Sequence, residues 1–251
     1  MVTGASRGIG RAIAIAFGGE GARVAITYHH NETAAKETAA AVERVGGHAL
    51  PVPLDLEDLP TIGAAADAVR QRWGTIEVLV ANAVRWGGTA PDPSVRFEDV
   101  ALTEWQAMLA ANLIGAATTV RAVLPGMRAK GWGRIVLMSS GVAEEGVPGP
   151  GPYGTAKSGL HGMARALAWE GGRDGVLVNV VAPGFTLTER AVAFPEAVRS
   201  RLAAAVPSRR LSDPQDVAQL VVFLGSAANG NVSGEIVREG SANGRAPHPS
   251  P

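Results

Sequence analysis

"TGASRGIG", residues 3 to 10, sets glycines at positions 4, 8 and 10 between a short β-branched stretch and a long segment rich in Ala and Ile. A turn of this kind lets backbone approach a phosphate closely, and the free N–H groups at a helix start face that phosphate with partial positive charge. Glycine suits any tight turn, so the loop alone also fits a plain turn. Its place between a strand and a helix favours a mononucleotide or dinucleotide site, with Ser6, Arg7 and Ile9 lying among Gly4, Gly8 and Gly10.

Working outward, short apolar runs alternate with longer Ala-rich ones. "RVAIT" (23–27), "HALPVPLDL" (48–56), "IEVLVANA" (76–83), "GRIVLMSS" (133–140), "VLVNVVAPG" (176–184) and "GEIVRE" (234–239) read as strands. Their near-continuous Val, Ile and Leu content suits strands covered on both faces. Residues 9–20, 31–46, 59–73, 103–130, 153–172 and 213–228 carry apolar residues at helical spacing. "SDPQD" at 212–216 offers a cap with proline in the first turn. Repeated βα units predict an α/β fold: a single-domain, doubly wound parallel sheet of Rossmann type with helices on both faces. The domain is expected over 1–241, and the Pro-rich ending 242–251 as a flexible tail. A central first strand of only "MVT" is short. Either it is unusually brief or further residues precede Met1, and the second is expected.

Composition excludes several classes. The 251 residues hold 23 basic and 23 acidic side chains, so no net field favours nucleic acid or an anionic membrane. Apolar runs of roughly ten residues fall short of the ~20 that span a bilayer. No basic start followed by an apolar run marks a secreted chain, so a cytoplasmic setting is expected. With no cysteine and five scattered histidines, neither a disulfide nor a metal site is expected.

The spacing T-G-x-x-x-G-x-G resembles that of the short-chain dehydrogenase/reductase family, and the likeness continues along nearly the whole chain. It is nearest to bacterial 3-oxoacyl thioester reductases and polyketide ketoreductases. The resemblance implies that Asp55, followed by Leu56, faces adenine and that Asn82 and Ala83 line the cofactor. It also implies catalytic roles for Asn112, Ser140, Tyr153 and Lys157, and places Pro183, Gly184 and Thr188 beside a nicotinamide. Ser140 is chosen over Ser139 because it stands 13 residues before Tyr153. Val84 departs from the family, which has glycine there. A β-branched side chain disfavours positive φ and adds bulk.

Tyr153 and Lys157 lie four residues apart on one helix face, roughly 5–6 Å apart at Cβ. A fixed ammonium there would lower a phenol pKa from its usual ~10 toward a working range. The phenol could then give a proton to a ketone oxygen as hydride reaches carbon, with Ser140 polarising the carbonyl. The family likeness adds that Lys157 holds ribose hydroxyls and that Asn112 positions a water relaying protons to Lys157. The plainer readings are a strand-ending serine, a helix-facing asparagine and, for Thr188, an ordinary helix cap.

The strand 23–27 ends in "YHHNE", placing Tyr28 and His29 where an acid would select a free 2′-hydroxyl; with Arg7 in the loop, NADP(H) is expected. Residues 185–210 read as an apolar substrate lid, with Trp86 a further candidate contact. The expected activity is reduction of a hydrophobic ketone, a 3-oxoacyl thioester or an aromatic polyketide. Another alcohol, sugar or steroid dehydrogenase, or a non-catalytic NADP-binding sensor or scaffold, is the alternative. The family forms dimers or tetramers through its two long helices. Gly154, Ala156, Gly159 and Gly162 would suit that packing or packing within the subunit.

Overall fold

A computed structural model describes residues 1–87, 94–146, 149 and 151–240. The expected tail at 242–251 lies outside the described residues. The elements run α1 (Gly8–Gly19), β1 (Arg23–Tyr28), α2 (Glu32–Arg44), β2 (His48–Pro53), α3 (Leu59–Trp73), β3 (Val78–Ala81), α4 (Leu102–Leu109), α5 (Ala116–Lys130) and β4 (Gly133–Met138). They continue with α6 (Val142–Glu145), α7 (Gly151–Gly172), β5 (Val176–Pro183), α8 (Glu189–Val192), α9 (Glu196–Ala205), α10 (Pro214–Leu224) and β6 (Ile236–Glu239).

The named strands pair in parallel as β2–β1 and as β3–β4–β5–β6. Val2 joins the two groups, bridging Ile26 on one side and Val80 on the other. Val2 N–H donates to Ala25 O at 2.9 Å and Thr3 N–H to Val80 O at 3.0 Å. Residues 1–3 thus fill the central position of the sheet, and the glycine loop leaves from its middle.

Alternation along the strands explains their unbroken apolar composition. Ala25, Leu79, Ile135, Leu137, Val178 and Val180 face a layer built by α3, α5 and α7, through Ile62, Val69, Val120, Met127 and Leu160. Val24, Ile26, Val80, Val136, Met138 and Val181 face the opposite layer, with Ile13, Phe17, Val42, Val217 and Val221 of α1, α2 and α10. Successive side chains point to opposite faces and both faces are covered, so every position is apolar. At α10 the sequence signal is realised as Pro214 in the first turn and Asp213 N–H donating to Asp216 Oδ2 at 3.0 Å.

One helix differs from expectation. The span read as continuous over 103–130 is broken by a π-helical stretch, Ala110–Gly115, between α4 and α5. Leu102–Lys130 is long and apolar enough by composition to cross a membrane, unlike the short runs read from the sequence. Here Val120, Val123 and Met127 bury against the sheet, which accounts for that composition. Of the small residues on α7, Ala156 is fully buried and a Cβ at Gly159 would lie 2.9 Å from Leu113, so both serve packing within the subunit. Gly162 faces open space.

Candidate active site

The carboxyl ends of β3, β4 and β5 gather around the glycine loop. Gly4 has φ +62°, and a Cβ there would lie 2.7 Å from Ala83 Cα. At Gly10 a Cβ would meet Gly4 O at 2.4 Å and Asn82 Nδ2 at 2.5 Å. Neither site has room for a side chain. Thr3 and Asn82 lock the loop to β3: Asn82 N–H and Ala83 N–H each donate to Thr3 Oγ1 at 2.9 Å. Asn82 Nδ2 donates to Thr3 O and Gly4 O at 2.9 and 3.1 Å. Gly4 N–H donates to Thr27 Oγ1 at 3.1 Å. Thr3 and Thr27 were not singled out from sequence; their hydroxyls hold backbone across segments distant in the chain.

The first turn of α1 carries no acidic residue, and Arg7 at its N-cap makes no side-chain cap. Its leading N–H groups are therefore available to an anion. Thr188 stands at the N-cap position of α8, as the plainer reading had it, but makes no side-chain cap bond, and its Cγ2 would lie 3.4 Å from a Cβ at Gly8. Thr188 therefore stands over the loop. Pro183 O accepts from Gly141 N–H at 2.9 Å and Gly184 N–H donates to Glu239 O at 2.7 Å. Beyond β1 and β2, His29 Nε2 lies 3.1 Å from Asp55 Oδ2, and Glu57 N–H donates to Asp55 Oδ1 at 2.9 Å. The Leu56 carbonyl packs against Gly115, 2.8 Å from the place of a Cβ. Tyr28 is half-buried at the end of β1, and Ser6 and Ile9 are half-buried in the loop and α1, while Arg7 is exposed. Val84 takes no positive φ, so its branched side chain sits there without backbone strain.

Ser139 and Ser140 point to different partners, as neighbours beyond a strand end do. The Ser140 side chain lies next to the Tyr153 phenol and lowers its pKa, while Ser140 Oγ accepts from Val142 N–H at 3.3 Å. The Lys157 ammonium is buried and donates to Met138 O at 2.7 Å. The electrostatics reverse the expectation from spacing. Burial pushes the Tyr153 phenol up to about 12, against smaller lowering effects of Ser140 and the Arg190 guanidinium. Burial also brings Lys157 down to about 8. Lys157 faces a main-chain carbonyl with its Nζ 5.8 Å from the Tyr153 ring centre, and the cation that favours phenolate comes from α8.

Arg190 reaches the phenol across Trp86. Its Cζ lies 4.7 Å from the Trp86 ring, which stacks on Tyr153 at 5.4 Å and 19°. Arg190 was not picked out from the sequence. It is one of five arginines in the lid segment, and nothing in the spacing set it apart from the others. Phe185 and Phe194 meet edge to face at 5.4 Å in the same segment.

Asn112 sits buried in the π-helical stretch. Its Oδ1 accepts from Arg85 N–H at 2.9 Å and its Nδ2 donates to Arg85 O at 3.0 Å. Both polar ends thus clamp the backbone that follows β3, where the sequence reading had this side chain position a water. A π turn at a functional site is a recurrent association.

Comparison with known proteins agrees with this geometry. A family model described as enoyl-(acyl carrier protein) reductase matches residues 4–238. The chain belongs to the short-chain dehydrogenase/reductase family. It is 36% identical over 249 residues to acetoacetyl-CoA reductase of Shinella zoogloeoides, covering 97% of this chain and 96% of that one. It is 35% identical over 237 residues to the 3-oxoacyl-(acyl-carrier-protein) reductase FabG of Escherichia coli, covering 94% and 93%. The crystal structure of levodione reductase superposes with a TM-score of 0.89 at 26% identity, covering 97% of this chain and 96% of that one. Reductases of this family work with a nicotinamide cofactor, and the tight glycine loop and uncapped α1 fit a dinucleotide.

Proposed function

We propose that this chain is an NADPH-dependent ketoreductase that converts a ketone to a secondary alcohol, with a 3-oxoacyl thioester or an aromatic polyketide ketone as substrate. The observation that carries the reading is the Ser140 side chain next to the Tyr153 phenol, whose pKa it lowers, beside the carboxyl end of β4. Two neighbouring hydroxyls suit a single carbonyl oxygen. Ser140 donates to that oxygen and polarises the carbonyl. Tyr153, a weak acid here, holds its proton until negative charge develops on the oxygen and then transfers it. Lys157 lies next to this pair as the buried proton-bearing group, and the family likeness assigns it the ribose hydroxyls. The nicotinamide supplies the hydride when bound. Gly4, Gly8 and the open start of α1 would hold its pyrophosphate, with Thr188 above them.

NADP(H) is favoured because the end of β1 offers Tyr28, His29 and His30 with no acid, and Arg7 is exposed in the loop. A hydrophobic ketone is favoured by Trp86 stacked on Tyr153 and by Phe185 and Phe194 in the lid segment. A homodimer or tetramer is supported by exposed Phe97 before α4, Leu102 on α4, Ile114 in the π-helical stretch and Trp169 on α7. A cytoplasmic setting fits the likeness to acyl-thioester reductases.

The test follows NADPH absorbance against an acetoacetyl thioester, a bicyclic ketone and a polycyclic aromatic ketone, with NADH and Tyr153→Phe in parallel. Turnover on one class, lost in the variant, is expected. Tight NADPH binding with no turnover on any of the three would make the chain a nucleotide-binding protein instead.

A further inference from the structure

Helix α7 carries Tyr153, Lys157 and His161 at four-residue spacing, so phenol, ammonium and imidazole share one face. The proposed reduction uses the first two. His161 is buried, and its Nε2 lies 2.8 Å from Ser139 Oγ. Its Nδ1 lies 3.9 Å from Glu144 Oε1 on α6, and the other oxygen of Glu144 meets Arg238 of β6. Ser139 Oγ also lies 3.2 Å from Lys157 O. The end of β4 is fixed on its β5 side by backbone alone: Ser139 N–H to Val181 O at 2.7 Å and Gly141 N–H to Pro183 O at 2.9 Å. On its α7 side two side-chain bonds make the tie: Lys157 Nζ to Met138 O at 2.7 Å, and the Ser139 hydroxyl. Ser140, which must meet Tyr153, sits between these anchors.

We infer that His161 is a positioning residue of the reduction, acting in its neutral form through Ser139 to hold Ser140 against Tyr153. The inference rests on the ketoreductase reading. Ser139 has one hydroxyl hydrogen and two claimants for it, His161 Nε2 and Lys157 O. The Glu144 carboxylate, 3.9 Å from Nδ1 and beyond hydrogen-bond reach, favours the imidazole proton there by its charge, leaving Nε2 to accept from Ser139. Protonating the ring makes Nε2 a donor and turns the Ser139 hydrogen to Lys157 O. One proton therefore reverses one of the side-chain bonds that join the end of β4 to α7, the Lys157 bond to Met138 O staying in place. The charged groups around the ring are Glu144 with Arg238 behind it, Arg165, and Lys157 one turn away. Burial and Arg165 hold His161 below its usual range, which keeps the neutral form at pH 7. Protonation would add a second cation one helical turn from Lys157, so turnover falls on the acid side.

The test measures kcat at saturating NADPH across the acid range, on a ketone that the native chain reduces. His161→Gln can still bond Ser139 but cannot titrate, whereas Ser139→Ala cuts the tie. Native kcat is expected to drop about tenfold between about pH 7 and pH 5, and His161→Gln to lose that drop while keeping neutral-pH kcat within about threefold. Ser139→Ala is expected to lower kcat about tenfold with NADPH Kd unchanged, and adding His161→Gln to it should cost little more. Nitrogen NMR of the imidazole, assigned by the signal missing in His161→Gln, is expected to show Nδ1–H at pH 7. An unchanged acid limb in His161→Gln, or an Nε2–H tautomer, would overturn the inference. Turnover that survives Tyr153→Phe would sink the ketoreductase reading instead, and the tautomer would still be read independently.

Discussion

The glycine loop and the segment from Phe185 to Arg210 flank the same strand ends but are held in opposite ways. In the loop, hydroxyl and amide groups of Thr3, Thr27 and Asn82 bond to main chain, and a Cβ at Gly4 or Gly10 would collide with neighbouring atoms. In the lid segment α9 buries none of its residues, and the contacts toward the site are side-chain stacks such as Arg190 on Trp86. The first region has one backbone path that a ligand's phosphates can share. The second presents side chains whose identity can change without changing the fold. The difference shows why such a chain can keep one way of holding a nucleotide while its substrate drifts.

The sharpest test of that division lies between the two regions. Tyr153→Phe removes a proton donor and nothing else, so kcat should fall by roughly 10²- to 10⁴-fold while NADPH Kd, read by fluorescence titration, stays within about twofold. A parallel loss of NADPH affinity would mean that the catalytic and nucleotide halves are not separable.

Next in size is the buried ammonium. Lys157 falls from 10.5 to about 8 on folding, so between those values the unfolded chain binds more protons and stability rises with pH. The full span amounts to on the order of 3 kcal/mol. Below pH 8 the penalty of the buried charge is fully present. Tyr153 acts in the opposite sense above pH 10, where the unfolded phenol ionises first. Denaturant titrations of native chain and Lys157→Met should therefore converge in favour of the native chain between about pH 8 and pH 10. A constant difference across that range would show that Lys157 is solvated.

Gly10→Ala probes the rigid region directly. With Gly4 O and Asn82 Nδ2 within 2.5 Å of the new Cβ, the backbone must move. About 1–3 kcal/mol of stability should be lost, with weaker NADPH binding. Tolerance without loss of affinity would erase the contrast drawn above.

Arg190→Ala probes the adaptable region and should do least. Stability should change by under about 0.5 kcal/mol, because the side chain is exposed. The phenol loses the Arg190 charge that lowers it and rises further, so the alkaline limb of the pH–rate profile should move upward and KM should change several-fold. An unmoved limb would show that Arg190 does not act on Tyr153.

What the amino-acid sequence determined by itself is the order of strands and helices, the parallel sheet covered on both faces, and the glycine loop. Each follows from a local rule: alternation against two layers makes strands wholly apolar, and a backbone with no room for Cβ demands glycine. The spacing of Ser140, Tyr153 and Lys157 was legible for the same reason, since one helix and one strand end carry all three. Only the tertiary structure decided how those groups are charged. The ammonium of Lys157 turns to Met138 O, burial raises the phenol, and the nearest helpful cation arrives from α8, 37 residues beyond Tyr153. The break in the helix at Asn112, the clamp on Arg85 and the Ser139–His161–Glu144 chain are of the same kind. They depend on which distant segments meet, and on the desolvation that follows from their meeting, neither of which is written in the spacing of any single stretch.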